Sequence, residues 1–206
     1  MTDAFIDIPG VRNFRDAGGI GTLRRGVLYR SGSFHTLTEE GARRLKELGL
    51  RTVIDLRSPF ELEVWPDQRH GLDHEALSLP TLPADRGDVD RPWPEDQASL
   101  YPFMACLLYT CIRDSTIAVL QSLLGASEAD ITADFLLSNI GLGLDKGPAP
   151  YIDETGAERL SRPISAELIA SSLAWIHTHH GTIPAYLRHH GATDAELDAV
   201  RANLSA

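Results

Sequence analysis

Between Thr36 and Leu56 the chain writes a helix, a stop and an apolar strand with no spare residue between them. Ala42, Leu45 and Leu48 recur at helical spacing. Thr36 and Glu39 stand at the distance of a capping box, with Thr38 as a rival N-cap, so the spacing predicts a helix over 36–48. Gly49 is a natural C-terminal stop. Leu50 to Leu56 then reads LRTVIDL, whose centre, Val53-Ile54, has the β-branched character of a buried strand. Helix, glycine, apolar strand is an α/β signature. The strand ends in Asp55-Leu56-Arg57-Ser58-Pro59, which puts polar groups where α/β sheets bind ligands.

The chain around this unit has 206 residues, enough for one domain with a sizeable core. Its net charge of -10 argues against nonspecific binding of nucleic acid or of an anionic membrane surface. The two cysteines, five positions apart, are no disulfide framework, and no CxxC is present. The first thirty residues show no signal-peptide core, and no apolar run reaches the ~18 residues of a membrane span. These features lead us to expect a cytoplasmic protein with reduced thiols. Unconventional secretion and the oligomeric state stay open.

Upstream, Asn13 and Asp16 suit turns in which a side chain bonds the local backbone, and Gly18-Gly19 permits a tight turn. Asn13, Arg15 and Asp16 are therefore expected to build a hydrogen-bonded corner. Val27 to Gly32 predicts a short strand ending in a polar corner at Arg30 and Ser31. Downstream, 60–64 predicts a short helix, and 66–98 a long Pro- and Asp-rich loop with one strand near Ala76–Leu79. A helix is expected over 114–124, capped by Asp114 or Ser115 and stopped by Gly125. A second, capped by Ser127, should run to about Asn139 with Ile131, Phe135 and Leu136 inward. Residues 140–163 are Gly- and Pro-rich and carry no clear pattern. Ser165 should start a helix to His180 with Leu168, Ile169, Leu173 and Ile176 inward and Gly181 as stop. Short helices over 182–190 and 193–204 follow, the last opened by a Thr193–Glu196 capping box. We therefore expect a single domain, 1–206, in three parts: 1–64 α/β, 65–113 a long Pro- and Asp-rich loop with the stretch that holds both cysteines, 114–206 helical.

Chemistry concentrates in Cys106 to Gly125, CLLYTCIRDSTIAVLQSLLG. A cysteine, an arginine and a helix N-terminus together can make an anion site. Backbone N–H groups and a guanidinium hold the anion, and a thiolate can attack it. The histidines His177, His179, His180, His189 and His190 offer a metal alternative, but no carboxylate stands at ligand spacing. Solvated helix ends, where the dipole favours His, account for them better, and no metal or cofactor is expected.

Several ordered words go further. Asn13-Phe14-Arg15-Asp16-Ala17-Gly18-Gly19, Leu28-Tyr29-Arg30-Ser31-Gly32 and Asp55-Leu56-Arg57-Ser58 together resemble the bacterial tyrosine phosphatase family that includes mycobacterial lipid and phosphotyrosine phosphatases. Ala129-Asp130-Ile131, Leu137-Ser138-Asn139, Tyr186-Leu187-Arg188 and Gly191 to Leu197 resemble its later segments. The resemblance implies a phosphotyrosine-phosphatase-like α/β fold: a central, largely parallel sheet flanked by helices, with a C-terminal helical layer. It also implies hydrolysis of phosphate monoesters through a cysteinyl-phosphate intermediate. The substrates would be phosphotyrosine, with phosphoserine, phosphothreonine or phosphoinositide as further options, on a protein or a small phosphomonoester.

The family's loop has the form Cys-x5-Arg. Here one residue separates Cys111 from Arg113, and six separate Cys106 from Arg113. No His precedes either cysteine, and no glycine lies between residues 87 and 125 to let a backbone close on a phosphate. Three accounts follow: a segment lost by deletion or misjoined, which would leave a non-functional remnant, a pseudophosphatase or binding module that does not turn over, and an active enzyme whose loop aligns otherwise. On the resemblance, Cys111, Arg113 and Asp114 are the candidate catalytic residues. Their plainer account is a buried thiol followed by an ordinary helix start. Arg30, Ser31, Asp55 and Arg57 are the candidate substrate-binding residues, with a structural ion pair or turn as the alternative for Asp55 and Arg57.

Overall fold

The computed structural model describes residues 4–79, 112–152, 156–161 and 163–206, with side chains in the second stretch from Ser115 onward. Its architecture is mixed α/β. The described chain divides into two compact units whose segments alternate along the sequence. The first draws on 1–15, 30–90 and 139–163, the second on 16–29, 91–138 and 164–206. Short strands β1 (Arg15–Asp16) and β2 (Tyr29–Arg30) pair where the chain passes from one to the other.

In the first unit, α1 (Glu39–Glu47) starts at Thr38, whose side chain accepts from the Gly41 N–H. The rival cap therefore prevails over Thr36, whose hydroxyl donates instead to the Gly10 carbonyl. Ala42 and Leu45 are buried as the periodicity predicts, while Leu48 is half-buried as C-cap. Gly49 follows at φ 68°, a backbone angle that favours glycine. Gly41 is constrained by packing. A Cβ there would stand 2.2 Å from the Pro9 carbonyl oxygen, and that carbonyl is held in place by the Thr38 N–H and hydroxyl. At an open helix position Gly→Ala stabilises by about 1 kcal/mol. Here we expect Gly41→Ala to reverse that sign and cost about 1–3 kcal/mol, as overpacking does. Urea unfolding of the variant, with Gly49 left intact, is the check.

After Gly49 comes β3 (Thr52–Asp55), then α2 (Pro59–Val64), then β4 (Glu75–Ser78), which pairs with β3 in parallel with Ile54 opposite Leu77. A parallel pair requires such a crossover, and α2 supplies it. Ser58 and Glu61 cap α2 reciprocally, a box beyond the sequence expectation for this short helix. The expected burial of this strand is corrected. Ile54 is 53% exposed, and Leu77 and Leu79 are exposed too. Apolar, β-branched composition favours the extended backbone, but burial depends on covering layers that strand propensity does not supply. Residues 140–163, unreadable by pattern, hold an antiparallel hairpin, β5 (Ala149–Ile152) and β6 (Glu158–Ser161).

The second unit carries α3 (Ile112–Leu123), α4 (Glu128–Leu142, of which residues to Ser138 belong here), α5 (Ala166–His180), α6 (Ile183–His189) and α7 (Asp194–Leu204). Its core joins Leu123, Ile131, Phe135, Leu168, Ile169, Leu173, Ile176, Ile183, Tyr186 and Leu197. The inward residues expected on α5 are those observed. Its stop, Gly181, lies at φ 74°, and the Thr193–Glu196 box opens α7. Two expectations are corrected. Asp114 and Ser115 do not cap α3, because the helix already starts at Ile112. On α4, Leu136 is only half-buried, whereas Asp134 and Ser138 are buried. Gln121 explains the buried acid. Its amide donates to Asp134 Oδ2 at 3.2 Å and to the Ala17 carbonyl at 3.3 Å, so neither polar group is buried alone. The C-terminus is tied back by the Ala206 N–H to the Thr22 carbonyl and the Arg24 N–H to the Leu204 carbonyl.

Candidate functional site

The N-terminal corner forms as its residue types require. Asn13 sits at φ 59°, a left-handed angle that asparagine tolerates better than most residues. Its Oδ1 accepts from Arg15 Nη1. Arg15 is wholly buried with its guanidinium 5.8 Å from the centre of the Phe5 ring. Gly141 leaves the space that Asn13 occupies, since a Cβ on it would lie 2.0 Å from Asn13 Oδ1. In the second unit, Asp16 accepts from the Gly18 N–H at 2.8 Å and the Gly26 N–H at 2.9 Å, closing the Gly18-Gly19 turn. Partial burial, and then the Asp16 charge, raise the Tyr29 pKa, so this phenol stays protonated well past neutrality. Arg30 is buried at the end of β2, and Ser31 beside it is half-buried.

At the C-terminal end of β3 the structure brings Asp55 and Arg57 together. The Asp55 carboxylate turns the chain by accepting from the Arg57 backbone N–H at 2.9 Å. It then receives the guanidinium as a fork, Nε at 3.0 Å from Oδ1 and Nη2 at 2.5 Å from Oδ2. The remaining bonds were not foreseen. Nη2 also reaches Asp67 Oδ1 at 2.7 Å, and Nη1 donates to the Trp65 carbonyl at 2.9 Å. Asp67 in turn accepts from the Phe34 N–H. Arg57 is 4% exposed. Burial works against its charge, but the bonds and charges of Asp55 and Asp67 outweigh that, and its pKa rises. Of the two accounts of Arg57, pocket or ion pair, the ion pair is the one with geometry behind it. The signal for Asp67 was thin: an acid just after Pro66, ten residues beyond an arginine flanked by a carboxylate.

Arg113 and Asp114 lie in the first turn of α3, where backbone N–H groups lack helical partners and favour an anion. Cys111 immediately precedes that turn in sequence, and both it and Cys106 lie outside the described residues. Arg30, Ser31, Asp55 and Arg57 belong to the first unit, Arg113 and Asp114 to the second. Among the described residues, no group of three or more His, Cys, Asp or Glu side chains has an arrangement that could hold a metal ion. No described helix is long and apolar enough to cross a membrane.

The chain is similar to the triple specificity protein phosphatase PtpB of Mycobacterium tuberculosis, 37% identical over 89 residues. That stretch is 42% of this chain and 32% of the relative, so the chain spans about a third of the curated protein that it matches. The model of the tyrosine phosphatase family matches far more, residues 6–105 and 115–206, and passes over the stretch that holds Cys106, Cys111 and Arg113. With all but a few residues of the chain inside those two segments, the chain belongs to the tyrosine phosphatase family.

Proposed function

We propose that this protein is a phosphoric monoester hydrolase of the tyrosine phosphatase type, acting on aryl phosphates such as phosphotyrosine. The observation that carries it is the family match on both sides of residues 106–114. Cys111 precedes a helix N-terminus that favours an anion, the setting that lowers a thiol pKa. Its thiolate would attack phosphorus as the bond to the aryl oxygen breaks. Asp114, as the acid, would give that oxygen its proton. Water, giving a proton to the Asp114 carboxylate, would then attack the phosphocysteine, releasing phosphate and restoring both the thiolate and the acid. Arg113 and the first N–H groups of α3 would bind the phosphoryl oxygens. Arg30, Ser31, Asp55 and Arg57 are, on the family resemblance alone, the candidates for substrate binding.

A second reading, binding of phosphomonoesters without turnover, is favoured by a specific observation. Neither cysteine has the Cys-x5-Arg spacing, and the family match is interrupted between residues 105 and 115. The cradle then lacks either its nucleophile or its arginine in the required place.

Hydrolysis of para-nitrophenyl phosphate by the purified chain, beside Cys111→Ser and Cys106→Ser, separates the two. On the first reading the chain turns over and Cys111→Ser falls to background while Cys106→Ser does not. A rate at background in all three, with circular dichroism showing folded protein, overturns hydrolysis. Calorimetric titration with a phosphotyrosine peptide then tests binding.

A further inference from the structure

Five of the eight histidines gather at one joint of the second unit. α5 ends in His177, His179 and His180, and α6 ends in His189 with His190 as its C-cap. The two helix ends bring the rings into contact. His180 lies 4.8 Å from His189 and 6.0 Å from His190, between ring centres, and His189 lies 5.1 Å from His190. Trp175 stacks on His179 at 4.3 Å, and Tyr186 meets His180 at 5.2 Å and His190 at 4.7 Å. The joint thus has an aromatic seam built largely of imidazoles. Beneath it Ile176, Ile183 and Tyr186 belong to the unit's core.

We propose that the α5–α6 joint is acid-sensitive: as imidazoles at its seam take up protons, like charges force the end of α6 away from α5. The negative end of each helix dipole welcomes a first proton. Further protons meet a charge one ring away, so the cluster titrates as a coupled set. Most charged groups on the neighbouring helices are engaged elsewhere, among them Asp198 of α7, which pairs with Arg201 at 3.0 Å. Arg188 on α6 is cationic and already paired with Asp194 of α7 at 2.7 Å. Glu196 of α7 is engaged with Thr193 in the capping box. On α3 the described side chains, Ser115 to Leu123, include no ionisable group. On α4 the ionisable groups are Glu128, Asp130, bonded to Ser127, and Asp134, bonded to Gln121.

His180 sets the sign. Desolvation first, then the charges of His189, His190 and His179, hold its pKa below the ordinary imidazole value. A group with a depressed folded pKa binds fewer protons folded than opened. Its contribution to stability is therefore present above the ordinary value and lost as pH falls through the folded one.

The test is NMR on the full chain: imidazole titration together with amide exchange in α6, from pH 8 to 5.5, for the wild type and His189→Gln/His190→Gln. Both replaced residues are exposed, so the fold should stand, and melting at pH 8 checks this. In the wild type we expect His180 to titrate below an ordinary imidazole and α6 amides to lose about tenfold protection, corrected for intrinsic rate, toward pH 5.5. In the double variant His180 should move up and the pH dependence should largely vanish. Were the double variant unfolded, His180→Gln would take its place, with the same loss of pH dependence expected. Protection independent of pH, or falling equally in wild type and variant, overturns the proposal, as does a His180 that titrates at or above the ordinary value.

Discussion

Arg57→Ala lowers the free energy of unfolding by about 3–5 kcal/mol, the range for breaking one partner of a buried ion pair. The side chain is 5% exposed, and its partners Asp55 and Asp67 are 18% and 24% exposed, so solvent screens the triad only in part. Alanine removes the cation that Asp55 and Asp67 share and leaves a Trp65 carbonyl that has lost a donor. The loss is therefore larger than the worth of the bonds themselves. Arg57→Lys should recover only a fraction, because an ammonium cannot present the planar fork that Asp55 receives. Urea unfolding followed by circular dichroism measures both. A loss below about 1 kcal/mol for alanine would place the triad among solvent-screened pairs and sink the claim that it anchors the end of β3.

The other large effect belongs to α4. Phe135→Ala should cost about 3–5 kcal/mol, the usual range for deleting a fully buried ring. Phe135 is 1% exposed and packs in the core that joins α3 to α7. Leu136→Ala, its neighbour, should cost clearly less, since Leu136 only flanks that core. The pair tests which way the helix faces. Equal losses at the two positions would mean that the inward stripe has been placed wrongly. Asp134 and Ser138 share that stripe, so the buried face of α4 is half polar, and Gln121 is what lets the acid stay there.

Much of the architecture could be read along the chain. Thr38, Ser127, Thr182 and Thr193 open helices, and Gly49 and Gly181 end them. Asn13 and Asp16 bond their own neighbourhood. The inward residues of α5 follow directly from helical period. All of these are decided within a few residues, where a side chain competes for the nearest backbone group or recurs once per turn. The ordered words from Asn13 to Ser58 and from Ala129 to Leu197 likewise belong to the sequence, and with them the family. So does the spacing of Cys106, Cys111 and Arg113, which bears on catalysis whatever the fold around it.

What the sequence left open depended on residues far apart in the chain. Ile54 carries every mark of a buried strand residue and is exposed, because burial is conferred by covering layers. Asp134 looks like surface and is buried, because Gln121 comes to meet it from another helix. Arg57 finds Asp67 and the Trp65 carbonyl as partners beside the nearby Asp55, and nothing in the local pattern singles them out. Gly41 looks like a weak point in a helix and is a requirement, because the Pro9 carbonyl occupies the place of its side chain. The hairpin of β5 and β6 has no readable alternation, since its outward faces are themselves apolar at Tyr151, Ile152 and Leu160. Local hydrogen bonding and periodicity can be inferred residue by residue. Desolvation, charge pairing and steric exclusion are properties of neighbours, and only the tertiary structure chooses the neighbours.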